Sequence, residues 1–207
     1  MSFVYYMLCG YSLGSIPTAF LLVRLLSGKD IRDHGSGNAG AFNAFEVTQS
    51  KHIGMVVGVL DGLKGFAAAF IAGKVMGAEF WLQATALFGV LLGHNYSVWL
   101  KFRGGRGLAS AAGGVFAIGI GYMMVWCIAW FAAFKRTRDI LKANLAAIFI
   151  APFVVLVVPA SWIQLVMMRD VSATDYRLFS FILSGILLLS HLDIIKELTK
   201  KQNDVEE

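Results

Sequence analysis

Two short stretches hold the side chains and spacings that could do chemistry. "IRDHGSGNAGAFNAF", residues 31–45, sets Gly35, Gly37 and Gly40 among Ser36, Asn38 and Asn43. Glycines allow unusual backbone angles and let main-chain N–H groups converge on an anion. Serine and asparagine add side-chain hydrogen bonds. "GHNYSVWLKFRGGRGLAS", residues 93–110, places His94 shortly before Lys101, Arg103 and Arg106, with Gly104, Gly105 and Gly107 interleaved. Arginine offers phosphate a planar fork of donors, and glycine clears the approach. A plain interhelical loop would also use glycine, serine and asparagine. A cytoplasmic topology signal would account for the lysine and arginines, though not for the glycines between them.

Two further groups are polar residues inside apolar runs, where they are costly. Asp61 and Lys64 of "VLDGLKG" lie three apart on one helix face, placed to form a structural ion pair or to touch substrate. "GSIPT", residues 14–18, puts Ser15, Pro17 and Thr18 in the first run. The proline frees backbone groups that need partners within a bundle, so a kink facing the site is expected. Cys9 and Cys127 have no partner spacing and are expected to be buried small hydrophobes. His34, His52, His94 and His191 show no metal-type spacing, and no metal or other cofactor is expected.

The elements that must position these groups are membrane helices. Of 207 residues, 57% are hydrophobic and 15% charged, against about 25% charged in a soluble domain. A span needs about 20 mostly apolar residues, and apolar windows run over 3–26, 53–73, 80–100, 107–134, 143–168 and 176–192. The first has no charge before Arg24 and no cleavage pattern after it, so it reads as a retained span rather than a secretory signal. The net charge of +5 comes without aromatic–basic interleaving on a soluble face, which argues against nucleic acid.

The window 107–134 has "IGIGY" at 118–122 near its middle. As one helix it would be about 42 Å long, more than the roughly 30 Å hydrocarbon core. The positive-inside rule chooses between one crossing and two. Lys29, Arg32 and Lys51 in one loop, and Lys101, Arg103 and Arg106 in another, are cytoplasmic together if the N-terminus is outside. A single crossing then puts Lys135, Arg136, Arg138 and Lys142 outside; two short crossings turning near Gly119 and Gly121 bring them back in, with Lys196, Lys200 and Lys201. The expectation is an all-α integral membrane protein, a seven-transmembrane-helix bundle with the N-terminus outside and the C-terminus cytoplasmic. Its two short helices would be packed inside the bundle, Gly113, Gly114, Gly119 and Gly121 allowing close approach. No internal repeat of the kind common in transporters is evident. His191 opens an amphipathic continuation, "HLDIIKELTKKQ".

With these residues in place, the chain resembles the bacterial acyl-phosphate:glycerol-3-phosphate acyltransferases, the PlsY family. "GSIPTAFLL", "GKDIRDHGSGNAGAFN", "LDGLKG", "LGHNY" and "FRGGRG" fall in that family's order and spacing over nearly the whole length. The resemblance implies one acyltransferase domain over residues 1–207 in the bacterial cytoplasmic (inner) membrane, crossing it several times. It implies transfer of a fatty acyl group from acyl phosphate to the 1-hydroxyl of glycerol 3-phosphate, giving lysophosphatidic acid for phospholipid synthesis. Its partners would be these two substrates and membrane lipids, with no nucleic acid, and a monomer is expected.

On this resemblance His94, Ser36 and Asn38 are the catalytic candidates, the latter two as oxyanion donors. Either His94 or a substrate phosphate oxygen takes the proton from the attacking hydroxyl. Phosphate would be held by Gly35, Gly37, Gly40, Asn43, Arg103, Gly104, Gly105 and Arg106, with Ser15, Asp61, Lys64 and His191 in support. No histidine here has aspartate five positions on (Ala39, Val57, Trp99 and Lys196 stand there), unlike the other bacterial acylglycerol-phosphate acyltransferases. Several positions depart from the family's pattern. Phe42 replaces a threonine, Glu46 an arginine, Ser97 a proline, Ile194 an asparagine and Glu197 an arginine. Such changes would retune the acceptor or silence the chemistry.

Overall fold

The computed structural model describes residues 2–206, with no account of the side chains of Glu197 and 201–206. The departure at Glu197 and the topology charge Lys201 therefore fall outside the described side chains. The described residues form helices joined by turns and loops, with no β-strand. They form two compact units, one from residues 2–120 and 166–171, the other from 121–165 and 172–206.

The first unit contains α1 (Ser2–Gly14), α2 (Thr18–Ser27), α3 (Ala41–Thr48), α4 (Lys51–Phe70), α5 (Phe80–Asn95) and α6 (Leu108–Ile118). Helix α5 is its centre, buried on nearly every side from Gln83 to Asn95, as an all-apolar helix must be. Glycines set how closely its neighbours approach. A methyl group at Gly10 or Gly14 would overlap the α5 backbone, and one at Gly89 or Gly93 the α1 backbone. Helices α4 and α6 meet in the same way through Gly65 and Gly113, the small-residue packing that lipid favours.

The second unit contains α7 (Gly121–Thr137), α8 (Ile140–Val157), α10 (Ala173–Leu189) and α11 (Leu192–Glu206), with most of α9 (Ala160–Val166). The Tyr176 hydroxyl accepts from Tyr122 N at 2.6 Å, and the Tyr122 and Ser184 hydroxyls lie 2.6 Å apart. Trp130 donates to Asn144 at 2.7 Å, joining α7 to α8. The outer faces are apolar: Leu25, Leu165, Val157 and Ile128 are all well exposed, more apolar surface than a soluble monomer tolerates.

Several expectations hold. The first run breaks at residues 15–17, and 107–134 divides between Ile118 and Gly121. Hydrogen bonds from Ile120 N to Val166 O (3.1 Å) and from Met168 N to Ile118 O (3.1 Å) satisfy the backbone there. Others are corrected. Cys9 and Cys127 are exposed rather than buried, because the outward face of a membrane helix is as apolar as a core. The window 80–100 stops being α-helix at Asn95, and 143–168 is two helices parted at Pro159, whose ring cannot continue α8. The glycine-rich loop was expected to be loop throughout, yet Ala41–Thr48 is helical.

Three segments are long and apolar enough to cross a membrane: Ser2–Ser27, Lys51–Val75 and Ile140–Val157. The pair Ala173–Leu189 and Leu192–Lys200, bent by 60°, makes a fourth if counted as one span. Helices α5 and α7 have 16 and 17 residues, about 24–26 Å.

Candidate active site

The glycine-rich loop owes its shape to Asn43. Fully buried at the start of α3, its amide donates to the carbonyls of Ile31, His34 and Asn38 at 3.0, 3.1 and 3.0 Å. Its Oδ1 accepts from Ser36 N at 3.0 Å. Gly35 and Gly37 have φ of 58° and 69°, the left-handed region that side chains disfavour. Asn43 thus spends its polar atoms on the loop backbone, where phosphate contact was expected of it. Ser36 is exposed, Asn38 half-buried, and Gly40 caps α3 with extended backbone.

The loop is held from the other side by Arg32. Its guanidinium donates to both Asp30 oxygens, at 2.9 and 2.6 Å, and to Leu100 O at 3.2 Å. Arg32 holds the Asp30 carboxyl down at about 2. This joins residues 30–33 to the turn at Val98–Leu100, and Leu100 packs in the core beside Ile31 and Val23.

The basic turn closes onto the end of α5. Gly104 N donates to Asn95 O at 3.1 Å and Gly105 N to His94 O at 3.0 Å, while Ala39 N donates to Gly104 O at 3.2 Å. The two motifs of the sequence therefore touch, with His94 beneath them. A methyl group on Gly105 would overlap His94 Nε2, so glycine there is a steric requirement. Arg103 is exposed and Arg106 half-buried.

The third partner is the break between α1 and α2. Ser97 Oγ donates to Ser15 O, and Lys64 Nζ to Ile16 O, each at 2.6 Å. These are the carbonyls that the break frees. Ser97 thus ties the end of α5 to the break through its side chain. Asp61 and Lys64 pair at 2.7 Å, nearly buried. The same Asp61 oxygen accepts from the Thr18 hydroxyl and lies 3.6 Å from His94 Nδ1. Ser15, Thr18, His94, Gly104 and Gly105 line one narrow cleft.

Of the expected residues, Ser15, Asp61, Lys64 and His94 thus gather at one place with both glycine motifs. His191 belongs to the second unit, fully buried, with Nδ1 2.7 Å from Leu187 O. Ile194 is buried one turn later. Glu46, on α3, brings a carboxylate oxygen 3.6 Å from where a Gly35 side chain would begin. Sequence reasoning passed over Asn95, whose buried amide has no protein partner among the described residues although its Oδ1 comes close to Gly107. An amide beside His94 was the available signal. Among the described residues no cluster of three His, Cys, Asp or Glu could hold a metal ion.

The chain is similar to known proteins. The chain is 34% identical over 188 residues to glycerol-3-phosphate acyltransferase 2 of Moorella thermoacetica, covering 91% of this chain and 89% of that one. It is 40% identical over 143 residues to the glycerol-3-phosphate acyltransferase of Rhodopseudomonas palustris, 69% of this chain and 71% of that one. The crystal structure of PlsY, an integral membrane glycerol 3-phosphate acyltransferase, in its glycerol 3-phosphate form superposes with a TM-score of 0.78 at 28% identity. That match covers 97% of this chain and 94% of the other. The lysophosphatidic acid form gives 0.76 at 27% identity, over 97% and 93%. A family model described as glycerol-3-phosphate acyltransferase matches residues 4–201, and the chain belongs to that family.

Proposed function

We propose that this chain transfers a fatty acyl group from acyl phosphate to the 1-hydroxyl of glycerol 3-phosphate, giving lysophosphatidic acid. It works as a monomer in the bacterial cytoplasmic membrane, crossing it seven times with the N-terminus outside. One observation carries the reading: the bond from Ala39 N to Gly104 O brings the loop 35–40 against the basic turn 103–107, directly over His94. Two phosphate-bearing substrates need two groups of anion donors side by side, and the two motifs supply them. Arg103 and Arg106 hold phosphate, and Ser36 and Asn38 stand as donors to the oxyanion that forms when the acyl carbonyl is attacked. Family membership supports the acceptor. The donor rests on the absence of the His-x-x-x-x-Asp pair that the other, thioester-dependent bacterial acylglycerol-phosphate acyltransferases use.

The purified protein in lipid vesicles is offered palmitoyl phosphate, palmitoyl-CoA or palmitoyl acyl carrier protein, each with labelled glycerol 3-phosphate. Lysophosphatidate is expected from palmitoyl phosphate alone. Product from either thioester at a comparable rate refutes the donor, and no product from any of the three refutes the reaction.

A further inference from the structure

Helices α7 and α8 are joined by a two-residue turn and pack against each other, leaving an open apolar groove of about 370 Å³ between them. That is the size of a small-molecule site. Its walls follow the helical period, since residues four apart are neighbours on a helix face. On α7, Val125, Ala129 and Ala133 form one such row and Ile128 and Ala132 the next, while α8 contributes Ile150 and Val154. The row Ile128–Ala132 arrives at Arg136. The row Val154–Ile150, followed back through Ala146, begins at Lys142. Both cations are exposed, and both stand at the end of the groove nearest the turn. Four of the eight residues from Lys135 to Lys142 are basic and one, Asp139, is acidic. Asp139 is committed to the start of α8, accepting from Leu141 N at 2.8 Å and Lys142 N at 3.1 Å. Among the described residues, neither Arg136 nor Lys142 has an ion-pair partner. From Val125 to Arg136 the helix rises about 16 Å, close to half of the roughly 30 Å hydrocarbon core. A lipid with its phosphate at Arg136 therefore has one leaflet's depth of groove along its chain. A topology signal alone explains the charges, but not an apolar groove whose rows run into two of them.

We propose that this groove is a binding site for an anionic phospholipid of the surrounding bilayer. One acyl chain lies along the alanine rows of α7 against Ile150 and Val154, and the phosphate sits between Arg136 and Lys142. Arginine and lysine between membrane helices are the groups that hold a lipid phosphate. The chain contributes burial, and the two cations contribute the choice of headgroup. A zwitterionic lipid fits the groove equally well but brings its own ammonium to the basic cluster, so it binds more weakly. This site stands apart from the acyl-transfer reading, and its test needs no catalysis.

The full chain, purified in detergent, is titrated with an equimolar mixture of dioleoylphosphatidylglycerol and dioleoylphosphatidylcholine, and native mass spectrometry counts each lipid retained. Wild type is expected to keep phosphatidylglycerol over phosphatidylcholine by about tenfold or more. Arg136→Gln/Lys142→Gln is expected to bring that ratio to within about twofold of unity. Lys135→Gln/Arg138→Gln removes the same charge away from the rows and should keep a preference above about fivefold. Ala132→Phe fills the groove and should lower retention of both lipids by about fivefold or more. All of these side chains are exposed, so each variant is expected to unfold at the wild-type temperature without lipid. Equal retention of the two lipids by wild type, or the same loss from both charge pairs, overturns the inference. Undiminished phosphatidylglycerol on Ala132→Phe overturns it too. A wild-type dimer that Ala132→Phe splits would make a second copy of the chain the occupant instead.

Discussion

At the scale of single residues, the proposed pocket is tested most directly at Glu46. A carboxylate this close to Gly35 sits where an anionic substrate is expected, and a like charge at 4 Å costs about 4 kcal/mol at an effective dielectric near 20. Phe42, one turn earlier, is exposed and stacks at a tilt on Phe45, with ring centroids 6.3 Å apart; it has no hydroxyl to offer. Glu46→Arg should therefore lower KM for glycerol 3-phosphate by about tenfold or more, about 1.4 kcal/mol or above, leaving the folded state intact because the side chain is only partly buried. The check is KM measured at fixed acyl phosphate, in parallel with Glu46→Gln to separate lost repulsion from gained attraction. Unchanged KM in both variants would mean that the pocket has been rebuilt around the carboxylate.

At the scale of elements, the sequence disclosed what each motif was and left out what each motif touched. Pro17 announced the break between α1 and α2, and the glycines at 119 and 121 announced the division of 107–134. The partners of the freed carbonyls, Ser97 and Lys64, stand 82 and 48 residues away, beyond any local pattern. Helix α3 was hidden because the run of glycine and asparagine before it reads as loop, although Gly40–Ala41 is an ordinary helix entry. Asn43 could not be told from a ligand-binding asparagine, since only the fold supplies the three carbonyls it bonds. The brace between residues 30–33 and the 98–100 turn was equally invisible, and its chemistry is testable. The Asp30 carboxyl titrates near 2 when folded against an ordinary value of 3.8. A depressed folded value means that the contribution is complete above about pH 4 and disappears as pH falls towards 2. Thermal unfolding in detergent at pH 5 and pH 2.5 should show wild type losing its advantage over Asp30→Asn between the two. An advantage of equal size at both pH values would show that the pair does not brace the loop.

At the scale of the whole molecule, the number of crossings is a question of charge. Length and hydropathy alone pass three segments, or four with the bent pair. Helices α5, α6 and α7 fall short, and α5 needs no length because it is enclosed by protein. Charge separates seven crossings from six where length does not. Arg136 lies in the last turn of α7 and Arg138 begins the turn to α8, and seven crossings place both beside the cytoplasmic phosphates of anionic lipid, whereas six expose them outside. In a cysteine-free background made by replacing Cys9 and Cys127 with alanine, single cysteines at Gln49, Glu79 and Arg138, each exposed, separate the two. An impermeant maleimide applied to intact spheroplasts should label Glu79→Cys only; Gln49→Cys and Arg138→Cys should react once the membrane is opened. Labelling of Arg138→Cys in intact cells, with Gln49→Cys still protected, would mean that 107–134 crosses once. The basic cluster would then lie on the face opposite the glycine loop and RGGRG. Protection of Arg138→Cys puts the 135–142 cluster on the same side of the membrane as the glycine loop and RGGRG, the side from which the proposed reaction would draw water-soluble glycerol 3-phosphate.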